Sequence, residues 1–300
     1  MVYFVGHFNI EDIYYPSYSR LGTAGGACLY AAMGARIWTD QVGVISRIGD
    51  DYPAAYLKTL KSMGVALHLR HMPGPTMASR TEYAAGQDRV FTMKNPPKRL
   101  DELTPDSDDV QAAQIPTGSF VHLSAMSLEK LERIVDHLCE KKCFISIDTC
   151  DAFVREDWER LRAVIQKANL FLPSRAEIYA CPTRYKQIED QIRWLQSQLG
   201  DVRLVVKDSS NGCYLARPEG LLRVPVCPNV EAVDLTGAGD SFCGGLLACI
   251  AHNGLDLSRG CVAGTVSASY IIQQAGAFPS YDISVQDRDL RFARVQNQIN

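Results

Sequence analysis

Short apolar runs alternate along the chain with longer stretches in which apolar positions recur every three to four residues. Residues 2–5, 42–45, 120–123, 144–148, 170–172 and 202–206 are compact apolar runs and read as strands. Between them, residues 28–35, 52–63, 127–141, 155–168 and 186–199 carry helical spacing, with Gly64 closing the second of these. Strands alternating with helices of ten to fifteen residues predict βαβ units around a mostly parallel sheet, an α/β fold. With no internal repeat, low-complexity tract or long linker, residues 1–300 are expected to form a single domain.

One segment breaks the rhythm. Residues 66–70, 80–85 and 89–93 look like strands with no helix between them, joined by Pro73-Gly74-Pro75 and by a hairpin turn at Gly86-Gln87-Asp88. They read either as a small antiparallel lid over a site or as a structural edge hairpin. Phe8, Tyr14, Tyr15 and Tyr18 cluster nearby in sequence and either stack on a base or sugar face or pack the lid.

The totals narrow the function. A net charge of −3 lacks the basic excess of a nucleic-acid binder. The most apolar late region, 244–272, is interrupted by His252, Asn253, Asp256 and Arg259, too often for a membrane span. The N-terminus has no basic n-region, so a soluble, cytoplasmic protein is expected. Ten cysteines without a C-x-x-C read as free, mostly buried thiols.

The chemistry is concentrated in VDLTGAGDSFCGG, residues 233–245. Gly237-Ala238-Gly239 stands between an extended stretch and a helix starting near Asp240. Small residues there let backbone N–H groups converge, and the helix start adds its positive end, which suits a phosphoryl group in transfer. Asp240, in the first turn, is placed to take a proton from an attacking hydroxyl. The plainer reading is a tight turn with Asp240 as a helix cap. The chain has no G-x-x-x-x-G-K-[ST], no dinucleotide fingerprint, no G-x-S-x-G and no H-E-x-x-H. His122, in VHLSAM, either touches substrate or is a satisfied core residue.

The stretch D-x-T-G-A-G-D, from Asp234 to Asp240, resembles the C-terminal hallmark of the ribokinase family, also called the PfkB carbohydrate kinases. GHFNIED (6–12), LGTAGGACLYAAMGA (21–35) and VGVISRIGDDYP (42–53) resemble that family's N-terminal segments. The resemblance implies a ribokinase-like three-layer fold in one domain, with lid strands drawn from about residues 8–20 and 66–100. It implies an ATP-dependent, Mg²⁺-assisted kinase with Asp240 as catalytic base and the amides of Gly237, Ala238 and Gly239 as anion hole. Asp234 and Thr236 would hold a monovalent cation, usually K⁺. Gly25 and Gly26, with Tyr30 in the same segment, would line the acceptor site. Glu177 matches the acidic residue that organises Mg²⁺ and phosphates. Lys207 through Gly212 would border ATP, and Thr265 would fall near the adenine.

The chain departs from the family at three places. Glu11, followed by Asp12, stands where an Asp usually grips the substrate; only one of the two can face it, and register favours Glu11. Ser174 replaces an Asn, and Ser209 replaces an ATP-side glycine. The expected acceptor is a sugar or sugar derivative; a nucleoside, or a catalytically weak member kept as a binding or regulatory protein, are the alternatives. Neither a nucleic acid nor a membrane is an expected partner; the lid strands either pair two copies in a homodimer or have their edges covered within one chain.

Overall fold

The computed structural model describes residues 1–83, 89–278 and 283–299. In chain order its strands are β1 (Val2–Val5), β2 (Asn9–Tyr14), β3 (Ser19–Gly25), β4 (Val42–Ile48), β5 (Ala66–His71), β6 (Met77–Tyr83), β7 (Arg89–Met93), β8 (Phe120–Leu123), β9 (Phe144–Ile147), β10 (Leu170–Phe171), β11 (Arg203–Lys207), β12 (Cys213–Arg217) and β13 (Gly220–Val224). The helices are α1 (Ala27–Arg36), α2 (Ala54–Ser62), α3 (Pro97–Leu103), α4 (Ser107–Ala112), α5 (Leu128–Glu140), α6 (Asp151–Glu156), α7 (Trp158–Ile165), α8 (Arg175–Ala180), α9 (Ile188–Leu199), α10 (Ala238–His252), α11 (Leu257–Ile271) and α12 (Val285–Gln296).

Among the described residues nine strands form one sheet in the order β13-β12-β11-β10-β9-β8-β1-β4-β5. It is parallel from β11 through β5, and only β12 and β13 run antiparallel to their neighbours. Alternation along β1 sends Val2 and Phe4 into a core shared with α1, α10 and α11. It sends Tyr3 and Val5 into a second core shared with α5, α7 and α9. The result is three layers. The chain leaves β1 toward β4 on one side and later returns to its other side at β8, so the strand order reverses beside β1. In open parallel sheets the crevice beyond the carboxyl ends at such a reversal is where ligands bind.

Four strands form a second, smaller sheet, β3-β2-β6-β7. β2 pairs antiparallel with β3 and parallel with β6, while β6 and β7 pair antiparallel. The stretch at 66–70, expected in this lid, belongs elsewhere. As β5 it pairs in parallel with β4 at the edge of the large sheet. The preceding helix α2 is the crossover that such a parallel pairing needs. The lid instead takes β3 from the glycine-pair segment. The hairpin turn expected at 86–88 lies outside the described residues. The single helix expected at 155–168 is two, broken at Asp157, whose side chain accepts the Arg160 N–H at 3.0 Å and caps α7.

Helices α1 and α10 approach each other backbone to backbone. A β-carbon at Gly244 would lie 1.8 Å from the Ala31 carbonyl oxygen, and one at Gly34 would lie 2.2 Å from that of Ser241. Glycine at both crossings brings the start of α10 close to the start of α1. Among the described residues no helix is long and apolar enough to cross a membrane. The ten cysteines carry free thiols, most of them buried.

Candidate active site

The site is built around the start of α10. Gly237 caps the helix in the left-handed region, at φ 76°, and a β-carbon there would fall 2.1 Å from the Tyr30 ring. Only glycine meets both demands. The Ala238 N–H reaches the Leu235 carbonyl at 3.4 Å, and the Ser241 N–H bonds the Gly237 carbonyl at 2.9 Å. Gly239 and Asp240 follow in the first turn, at the end of the helix toward which its N–H groups point. The dipole of a fifteen-residue helix adds positive potential at the same point. Asp240 is half-buried in that turn. After burial, its charge is among the causes that raise the thiols of Cys28 and Cys243.

One flank carries Lys207 and Asp148, at the carboxyl ends of β11 and β9, and Glu177, in the first turn of α8. The Lys207 ammonium pairs with Asp148 and lies 3.6 Å from Cys243 Sγ. A β-carbon at Gly239 would stand 3.8 Å from Lys207 Nζ, so this cation borders the α10 amides. Burial opposes its charge, yet Asp148 foremost outweighs burial and holds the ammonium above lysine's ordinary value. Ser174 caps α8 in a reciprocal box with Glu177, and the Ser174 strand end bridges to Lys207. Burial, then the charge of Asp148, push the Glu177 carboxyl above its usual range. Beyond Lys207, the buried Asp208 pairs with Arg175 at 2.5 Å, Ser209 opens a short 3₁₀ turn, and Gly212 closes it. Thr265 is buried within α11.

The other flank is the lid. Buried and half-buried residues alternate along β2, with Asn9, Glu11 and Ile13 facing in. Glu11 therefore points at the glycine pair. Its Oε1 accepts the Gly26 N–H at 3.0 Å and its Oε2 the Tyr30 hydroxyl at 3.1 Å. A β-carbon on Gly25 would lie 1.9 Å from the Glu11 carboxyl carbon, so Gly25 makes the seat for this longer acid. Burial is the largest cause lifting the Glu11 pKa to about 7. Asp12 faces the other way, pairing with Lys94 and accepting the Gly22 N–H at 2.8 Å.

Lid and motif loop meet at Asp234. Tyr15 O–H donates to Asp234 Oδ1 and Arg20 Nη2 to Oδ2, both at 2.8 Å. Tyr83 and Thr236 share a hydrogen bond of 3.0 Å. Tyr15 is sandwiched between Tyr83 and Tyr18, with ring centroids 4.4 and 4.8 Å away. Phe8 is fully buried against Tyr52, and Arg80 covers the Tyr14 ring at 4.2 Å.

A family profile described as pfkB family carbohydrate kinase matches residues 16–283. The chain belongs to the PfkB family. Among curated PfkB-like relatives, it is 25% identical over 252 residues to the cytidine kinase of Thermococcus kodakarensis, covering 81% of this chain and 86% of that one. It superposes on the nucleoside kinase of Methanocaldococcus jannaschii with a TM-score of 0.73, at 20% identity and 97% coverage of both chains. An Escherichia coli protein solved with ATP and Mg²⁺ gives a TM-score of 0.78 at 20% identity, covering 98% of this chain and 99% of that one. As a member of the PfkB family the chain is a phosphotransferase acting on a hydroxyl group of a sugar or nucleoside.

The PfkB frame also sorts the residues that sequence reasoning left open or missed. His122 is fully buried, bonded through Nδ1 to Ser146 Oγ at 3.0 Å and kept neutral by burial, with its pKa near 4. That is a core position. Arg20 and Asp148 were not singled out; Asp148 carried a signal, as the one acid ending the apolar run FISID. Glu177 lies close enough to Asp148 for that charge to raise its carboxyl, and two neighbouring carboxyls are donors of the kind a hard divalent cation takes.

Proposed function

We propose that the chain transfers the γ-phosphoryl group of ATP to a hydroxyl of a sugar or sugar derivative, with Asp240 as the base. The observation that carries this reading is Asp240 in the first turn of α10, directly after the Gly237 turn and at the positive end of that helix. Lys207 stands on one side of this helix start, and the Glu11–Tyr30 pair stands behind Gly237 on the other. Glu11 holds the acceptor by one hydroxyl, seated in the space that Gly25 leaves and fixed by the Gly26 N–H. Asp240 takes the proton of the attacking hydroxyl as the new O–P bond forms and the bond to ADP breaks. The amides of Gly237, Ala238 and Gly239 stabilise charge on the moving phosphoryl oxygens. Ser174, Glu177 and Asp148 would hold Mg²⁺, which neutralises phosphate charge. Lys207 through Gly212, and Thr265, border the nucleotide.

The curated relatives favour a second reading, a nucleoside as acceptor. The sandwiched Tyr15 and the buried Phe8 weigh toward a sugar, because these rings are already covered by the protein. ADP release measured across sugars, polyols and nucleosides separates the two. Silence with every acceptor in the presence of Mg²⁺ would leave a binding role instead. Leu21, Val90 and Phe91 are exposed on the lid strands and support pairing of two copies through the lid, which a sedimentation measurement checks.

A further inference from the structure

The resemblance assigns a monovalent cation to Asp234 and Thr236, and both are already engaged by the protein itself. Asp234 Oδ1 accepts the Tyr15 hydroxyl and the Thr236 N–H, each at 2.8 Å, and Oδ2 accepts Arg20 Nη2 at 2.8 Å. The Asp234 side chain is only 2% exposed. Thr236 Oγ1 is bonded to the Tyr83 hydroxyl. A free cation there would need oxygens with lone pairs to spare, and it would meet a guanidinium that already neutralises the carboxylate. The residues do not fit it.

The surroundings are shaped to the arginine. The motif loop is tied to the end of α11, because the Val233 and Asp234 N–H groups both bond the Ile272 carbonyl, at 2.6 and 3.1 Å. Just beyond, at Gly276, a β-carbon would fall 2.5 Å from Arg20 Nη1. The guanidinium thus touches both loops, and a side chain at position 276 would evict it. We propose that Arg20, carried on β3 of the lid, takes the place of a free monovalent cation, so that this chain works without potassium. Arg20 is a positioning residue: a tethered charge that fixes the loop leading into Gly237.

The test compares melting of the full chain in potassium chloride and in tetramethylammonium chloride at equal ionic strength. The wild type melts at the same temperature in both. Arg20→Ala melts lower in tetramethylammonium and is raised selectively and saturably by potassium. Should that variant fail to fold, Arg20→Gln keeps a polar side chain of shorter reach without the charge and carries the same expectation. Selective stabilisation of the wild type by potassium overturns the proposal, as does a folded variant indifferent to potassium. A kinetic arm rests on the kinase reading above. There kcat of the wild type is independent of potassium. The variant loses roughly tenfold or more, the scale for losing a group that orients a site's primary ligands, and regains part of it with potassium. If no acceptor turns over, the kinase reading fails while the melting comparison still decides the role of Arg20.

Discussion

Replacing Glu11 by Gln tests whether the lid acid lies where the fold places it. The carboxyl is 6% exposed and holds two donors, the Gly26 N–H and the Tyr30 hydroxyl. Burial is the largest influence on it and outweighs those donors and the nearby Arg20 charge, so its pKa rises from 4.5 to about 7. Between those two values the folded protein keeps a proton that the unfolded chain releases. Stability therefore falls as pH climbs through that window and levels off above it. At about 1.4 kcal/mol per pH unit, the loss amounts to about 3 kcal/mol. Glutamine keeps an acceptor for Gly26 and cannot titrate, so Glu11→Gln carries a constant offset without this slope. Urea unfolding of both proteins, once near pH 4.5 and once above pH 7, isolates the difference. The wild type should lose about 3 kcal/mol more than the variant across that interval. Parallel pH profiles would mean an ordinary carboxyl in contact with water, and the seat over Gly25 would be wrong.

Asp240→Asn should retain the fold and lose roughly 10²-fold or more in kcat, the scale of general-base removal; activity within a few fold of wild type defeats the assignment. Lys207→Met strips the partner from the buried Asp148 and should cost about 3–5 kcal/mol in denaturant unfolding, together with a raised KM for ATP. An unchanged KM for ATP would detach Lys207 from the nucleotide. Gly244→Ala drives a methyl into the Ala31 carbonyl and should cost about 1–3 kcal/mol or more. A melting temperature equal to wild type would show that the two helices are not in backbone contact.

The parts legible in the sequence were those written locally. Residues 2–5 and 120–123 read as strands from apolar runs alone, and both stand at those bounds. The motif from Asp234 to Asp240 announced its turn and helix because capping and glycine chemistry act over a few residues. What escaped was long-range. Arg20 and Asp234 are 214 positions apart, and Asp148 acquires its partner Lys207 from 59 positions away. Such pairings leave no mark on spacing. The stretch at 66–71 was misplaced because a short apolar run does not say which sheet it joins; that is settled by the crossover helix before it. The period of two along β2 said that Glu11 and Asp12 face opposite ways and register favoured Glu11, which packs inward on Gly25 and Tyr30.

The contact of Gly34 and Gly244 across α1 and α10 reaches beyond stability. At those two crossings no side chain separates the helix that begins beside the glycine pair from the helix that begins at the Gly237 turn. The two helix starts are held as one body, and the lid is bonded onto that body through Tyr15, Arg20 and Tyr83. On the proposed reading, the distance between attacking hydroxyl and phosphoryl group is then set when the chain folds.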